Sequence, residues 1–306
     1  MSTLQTNPDY SEEYENKPLP FNLYEGDDEE QDIWIKKRLE SLVNGALQPS
    51  QLAKEIDTKI TEDTNRQHDE LVIQLKEGDD DDLVVPPPRI HLSPLFSAIV
   101  RLFFAFPANH PGQNLIVELL LALKALPRHQ IYAGLPSDDP RKPHPTVTLW
   151  PFGEEEGDWQ MFWLYFHDEI SDWLPPYRLR NLNSAMARLS ALQLCKCAEQ
   201  SALQYILPSS REYPDLEKRP IDGPNILGNN LIAAAQWILT SDEGRFVYQE
   251  CRKSESAFES ADSWSITNWQ EWKRQFEFVA GDERFAANYR SVARDAYSRM
   301  LEYEES

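Results

Sequence analysis

The chain has 306 residues, a formal charge of −21, 41% hydrophobic residues and 11% aromatic residues, with nine Trp. That length allows one large or two ordinary domains without disulfides or metals, and the aromatic content excludes a wholly disordered chain. The acidity disfavours a phosphate backbone as partner, so no nucleic acid is expected.

The acidic excess is uneven. Residues 1–90 hold 22 Asp or Glu against 9 Lys or Arg, a charge of −13, which leaves −8 for the rest. Runs such as EGDDEEQD repel one another and read as a solvated, disordered leader over 1–30. The run EGDDDD has neither the spaced oxygen ligands, the turning Gly nor the distal Glu of a calcium loop.

After the leader, QDIWIKKRLESLVNGA places Ile33, Ile35, Leu39, Leu42 and Val43 in a helical pattern that Gly45 can close. PSQLAKEIDTKI predicts a second helix with Ser50 as N-cap, and HDELVIQLKEG a third. The three read as an extension over 31–87, weakly anchored to a core. It ends in DDDDLVVPPPRI, where a charge run meets three prolines in an extended spacer.

A main domain is expected over 88–306. SPLFSAIVRLFFAF and PGQNLIVELLLALKAL are apolar around most of their circumference, as buried helices are. Neither can span a bilayer: the more apolar carries Glu118 and Lys124 and stops at Pro127. The stretch from Pro127 to Trp159 is a long Pro-rich loop, with TVTLW its one convincing extended run.

Helices return with GDWQMFWLYFHDEISDWL. NLNSAMARLSALQLCKCAEQSALQYIL then puts Leu182, Met186, Leu189, Leu192, Cys195, Ala198, Ala202 and Tyr205 on one seam of a single long helix. On that helix Cys195 and Cys197 point about 200° apart, so they read as buried apolar residues rather than as a metal or disulfide pair. NNLIAAAQWILTSDEG predicts a helix that stops at Gly244. DERFAANYRSVARDAYSRMLEY predicts a last one with Phe285, Tyr289, Val292, Ala296, Met300 and Tyr303 on one face. The fold class is all-α: an irregular multi-helix bundle with an acidic leader and one long loop.

Chemistry is sparse. The chain has no H-E-x-x-H, G-x-S-x-G, P-loop, G-x-G-x-x-G or C-x-x-C. No two histidines stand three or four apart, so no metal and no cofactor is expected. His167 beside Asp168 and Glu169 reads as a surface His, since adjacent helical residues diverge by about 100°. His129 and His144 bracket the Pro-rich loop together with Tyr132, Asp138 and Asp139. They form a candidate site, although Asp-Asp-Pro and Lys-Pro-His-Pro are also ordinary turn chemistry.

The strongest pattern is ITNWQEWKRQFEFVAG. It aligns Ile266, Trp269, Trp272, Phe276 and Val279 on one face, behind a cap at Thr267 (with Gln270) or Ser265. Such a stripe is core before it is pocket, because burying one large apolar side chain contributes roughly 1.5–3 kcal/mol. The indole N–H groups nonetheless need partners.

NSAMARLSALQ, NNLIAAAQWILTSDEGRFVYQ, WSITNWQEWKRQFEFVA and RDAYSRMLEY together resemble a filamentous-fungal family of intracellular helical proteins, a domain of unknown function, over about residues 90–303. The resemblance implies an all-α fold and a fungal cytosolic setting, and supplies no reaction, cofactor or catalytic residue.

Two readings of function follow. The first is a non-catalytic protein-interaction or adaptor module with an unidentified protein partner, not an enzyme. It is placed in the cytoplasm or nucleus and not secreted, because the start MSTLQTNPDYSEEYENK has no basic or apolar segment. The second is a small-molecule-binding protein or unrecognised enzyme, with a bundle pocket lined by Trp237, Trp269, Trp272 and Tyr289 and gated by the Pro-rich loop with His129 and His144.

Overall fold

The computed structural model describes residues 17–77, 89–132, 145–152, 175–254 and 264–305. The spacer at 78–88, the middle of the Pro-rich loop, the helix expected around His167 and the first sixteen residues lie outside the described residues. Among the described residues there are nine α-helices and one two-stranded antiparallel hairpin, so the chain is predominantly helical. No helix among them is long and apolar enough to cross a membrane. The chain folds as two compact units, one of residues 20–102 and 109–165, the other of residues 1–19, 103–108 and 166–306.

In the first unit α1 (Glu30–Val43) packs on α2 (Pro49–Glu77) and on α4 (Pro111–Lys124), and α2 packs on α4 and on strand β1 (Gln130–Tyr132). Leu39, Leu42, Leu52, Ile56 and Ile60 are buried, so these helices are core elements rather than a loosely held extension. Gly45 (φ +75°) closes α1: its N–H reaches Leu42 O, and that of Ala46 reaches Ser41 O, the Schellman pattern.

The second helix begins at Pro49 rather than after Ser50. The N–H groups of Gln51 and Leu52 turn back to Gln48 O, and Pro suits the first helical position, where no N–H is needed. Nor does it stop before His68. Lys59–Asp63 (2.5 Å) and Arg66–Asp63 (2.9 Å) bridge the polar stretch on consecutive turns, so the two expected helices are one of 29 residues.

The acidic run ahead of α1 is also more ordered than its charge suggests. Leu23 is fully buried, Tyr24 Oη donates to Glu40 (2.7 Å), Asp28 pairs with Lys36 and Glu25 with Arg101. Asp28 and Lys36 are almost fully enclosed, and the hydrogen bond from Lys36 holds the Asp28 carboxyl below the usual range despite that burial. Burial, with Glu40 beside it, pushes the Tyr24 phenol up to about 12. Glu29 and Asp32 form a reciprocal capping box at the start of α1. Counter-charges on α1 and α3 (Arg89–Ala105) thus hold a segment that sequence charge alone assigns to solvent.

The two ends of the long loop pair as β1 and β2 (Thr146–Thr148), with Gln130 opposite Thr148 and Tyr132 opposite Thr146. His110 caps α4 through Nδ1, which accepts the Gly112 N–H (3.0 Å).

In the second unit α5 (Pro176–Ala191) packs on α6 (Asp222–Ala235) and α7 (Ser241–Ser254), while α9 (Ala287–Glu305) packs on α6, α7 and α8 (Ile266–Gly281). The long helix expected from Asn181 breaks after Ala191. Gln193 turns left-handed (φ 53°), Leu194 N–H returns to Leu189 O, and Leu192 comes out exposed rather than on a buried seam. Cys195 and Cys197 therefore lie in a loop, not on a helix, and both are buried free thiols. Ser190 Oγ braces that loop, donating to Cys195 O and accepting from Cys197 N–H.

The helix expected to stop at Gly244 instead ends at Ala235, and Gly244 lies in the first turn of α7. That glycine is required by proximity. A Cβ there would sit 2.4 Å from Tyr303 Cε2 and 2.6 Å from Ile238 O. Gly228 meets Tyr289 in the same way, at 2.5 Å. Two tyrosines of α9 thus pack closely against glycines of α6 and α7.

Candidate functional site

Ser265, not Thr267, caps α8: its side chain accepts the Asn268 N–H (3.2 Å). From that start the helical repeat carries Trp269, Trp272, Phe276 and Val279 inward, all fully buried, with Ile266 half-buried. Trp269 Nε1 donates to Glu304 Oε1 (2.8 Å), which also accepts from Gln270 (3.0 Å) and Lys273 (2.7 Å). Burial raises the pKa of Glu304, but the bonds from Lys273, Trp269 and Gln270 outweigh it and hold the carboxyl below its ordinary value.

Trp237 is fully buried; its Nε1 donates to Asn183 Oδ1 (2.8 Å), which also accepts Ala202 N–H (2.8 Å). Its ring meets Trp264 edge-on at 5.6 Å. Tyr289 is buried and donates to Asn229 Oδ1 (2.8 Å). Among the described residues Trp272 Nε1 is buried with no hydrogen-bond partner. The four aromatic candidates therefore share the interior of one unit, and three of them use their polar atoms on neighbours within it.

His129 belongs to the first unit, and His144, like Asp138 and Asp139, lies outside the described residues. Tyr132 stacks on His68 of α2, ring centres 3.6 Å apart. His129 follows α4 and precedes β1, and its carbonyl accepts Leu149 N–H beyond β2 (2.9 Å). Its Nε2 lies 3.0 Å from Thr61 Oγ1 and 3.6 Å from Asp57 Oδ1; its Nδ1 lies 3.2 Å from Pro127 O. Asp57 Oδ1 accepts Trp150 Nε1–H (2.6 Å).

Trp150 is fully buried at φ 62°, a region that bulky residues rarely occupy, so its indole bond to Asp57 accompanies local backbone strain. Asp57 and Thr61 lie one turn apart on one face of α2, and the hairpin places Trp150 and His129 beside them. Sequence reading found His129 and missed the other three. Only the one-turn spacing of Asp57 and Thr61 was visible, and nothing local ties it to residue 129 or 150.

Elsewhere, Cys195 is raised well above the ordinary thiol value by its hydrogen bond to Cys197 and by burial, and burial pushes Cys251 up to about 12. These are protonated, enclosed thiols. Among the described residues no three His, Cys, Asp or Glu side chains converge as metal ligands.

Residues 97–276, more than half of the chain, match the family described as a protein of unknown function, DUF3632. The chain belongs to that family. The DUF3632 match begins within α3 and ends within α8, a narrower span than the resemblance over 90–303 suggests. It includes His129, Trp150, Asn183, Trp237 and Trp272, and excludes Asp57, Thr61, Tyr289 and Glu304. No curated protein and no solved structure matches the chain.

Proposed function

We propose that this DUF3632 protein is a non-catalytic protein-interaction module of the adaptor kind, working in the fungal cytosol that the sequence resemblance implies. The observation that carries this reading is the internal use of the aromatic residues. Trp237 is tied to Asn183, Trp269 to Glu304 and Tyr289 to Asn229, so these side chains hold the fold. Apolar surface is offered instead at the start of α6, where Ile221 is 81% exposed and Ile226, five residues on, is 38% exposed. A charged, exposed loop containing Arg211, Glu212, Glu217, Lys218 and Arg219 leads into it, and loops on a rigid scaffold are where partners dock.

The test is a photo-cross-linking residue at position 221 in the full chain, expressed in its own cells. A discrete protein adduct that disappears with a second change, Ile226→Asp, supports the reading. No adduct, together with saturable stabilisation by a small molecule, overturns it.

A second reading, small-molecule binding, retains one specific observation: the buried Nε1 of Trp272, which has no partner among the described residues. Trp272→Phe removes that N–H and keeps most of the ring. Under this reading ligand-induced stabilisation in a thermal-shift screen is lost in the variant, while the unliganded melting temperature stays within a few degrees.

A further inference from the structure

Cys195 and Cys197 would point apart on a continuous helix, but the break after Ala191 puts them on non-helical backbone. There the side chains alternate: both cysteines are buried, and Lys196 between them is exposed. A period of two brings residues i and i+2 to the same side of the chain. The two thiols accordingly hydrogen-bond each other, and both are free. Ser190 holds the tripeptide at both ends, because its Oγ lies 3.2 Å from Cys195 O and 3.3 Å from Cys197 N. The Cys195 N–H also turns back to Leu189 O (3.5 Å), which ties the segment to the end of α5. Two sulfurs already in contact on a clamped backbone need little further ordering to join.

We propose that Cys195 and Cys197 form a reversible redox-modification site, which a low-molecular-weight disulfide of the glutathione type converts into an intraloop disulfide. The site is independent of the interaction reading above. Cys195 is the less enclosed residue, at 7% exposure against 0% for Cys197, so it meets the oxidant first. Its thiol gives a proton to solvent and its Sγ attacks one sulfur of glutathione disulfide. A mixed disulfide forms, the oxidant's S–S bond breaks, and the departing glutathione thiolate takes up a proton. Cys197 Sγ, deprotonated in turn by solvent, then attacks Cys195 Sγ. The internal S–S bond forms as the second glutathione thiolate leaves and is protonated. Two protein thiols are thereby oxidised, and one glutathione disulfide is reduced to two thiols. The contact with Cys197 and burial keep the Cys195 thiol protonated, so closure is slow near neutral pH. The equilibrium, not the rate, therefore distinguishes the site. Cys251 is the comparison within the same unit: it is fully buried, and its thiol is raised by burial and by Glu250, with no second thiol acting on it among the described residues.

The full chain is equilibrated in glutathione redox buffers, folded and in urea, until the oxidised fraction no longer changes. Acid quenching, alkylation of free thiols and peptide mass mapping then assign each cysteine. Trypsin cuts after Lys196, so the disulfide joins two peptides that reduction separates. The folded chain should hold the Cys195–Cys197 disulfide at a ratio of squared reduced to oxidised glutathione at least about 10-fold higher than in urea, with Cys251 still free. An equal or lower ratio in the folded chain overturns the proposal, because the fold then contributes nothing to closure. A bond to Cys251, or glutathione retained on Cys195 without closure, overturns it as well. The wild-type chain alone decides the matter, so no variant has to fold.

Discussion

The aromatic centre of the second unit and the α2–hairpin cluster of the first unit both bring indoles to polar partners, but they differ in enclosure. Around Trp237 and Trp269 each acceptor is matched by donors: Asn183 Oδ1 takes two N–H groups, and Glu304 Oε1 takes three donors. Around Trp150 the Asp57 carboxylate takes one indole N–H, His129 Nε2 lies within hydrogen-bonding distance of Thr61 Oγ1, and the His129 and Asp57 side chains remain partly open to solvent. The network at Asn183 is fully enclosed and rigidifies a core, whereas the one at Asp57, like Glu304, is partly open to solvent. Aromatic content drew the sequence reading to the first, and the second was visible only through His129.

The sharpest way to break the comparison is to overfill the closed side. Gly244→Ala must push Tyr303 or the Ile238 carbonyl, and backbone yields poorly, so we expect a loss of about 3 kcal/mol in urea unfolding. An unchanged midpoint would mean that α7 and α9 are not packed as described.

Next comes Asn183→Ala, which leaves Trp237 Nε1 and Ala202 N–H buried without their acceptor and should cost about 2 kcal/mol by the same measurement. Glu304→Gln should cost about 1 kcal/mol at neutral pH. Because the folded pKa of Glu304 is depressed, its contribution is present above the unfolded carboxyl value of about 4.3 and is lost as pH falls through the lower folded value. The gap between wild type and Glu304→Gln should therefore narrow in acid, and a constant gap from neutral pH to pH 3 would sink this account. Smallest is Thr61→Val, near-isosteric on the open side, expected to change stability by less than about 1 kcal/mol. A large effect there would make the hydroxyl structural and equalise the two regions.

Helical periodicity made the all-α fold and the inward face of α8 legible, since Trp269, Trp272, Phe276 and Val279 needed nothing beyond their spacing. Gly45 likewise announced the end of α1. What failed was punctuation set from a distance. The break at Leu192 has no Gly or Pro, and Gly244 looked like a stop because Tyr303, which explains it, lies far along the chain. Charge misled in the same way, since Glu25 and Asp28 look solvated until Arg101 and Lys36 are placed beside them. Of the candidate site only His129 was legible, because its partners arrive through the hairpin.

The glycine–tyrosine contacts also set an order of events during synthesis. Gly228 and Gly244 emerge from the ribosome well before Tyr289 and Tyr303, at roughly 5–20 residues per second. For those few seconds α6 and α7 present bare glycine faces beside exposed apolar side chains, a surface that holding chaperones recognise. The nascent chain should therefore be most exposed to misassembly just before α9 appears, and slowing translation over 245–285 should lower the soluble yield.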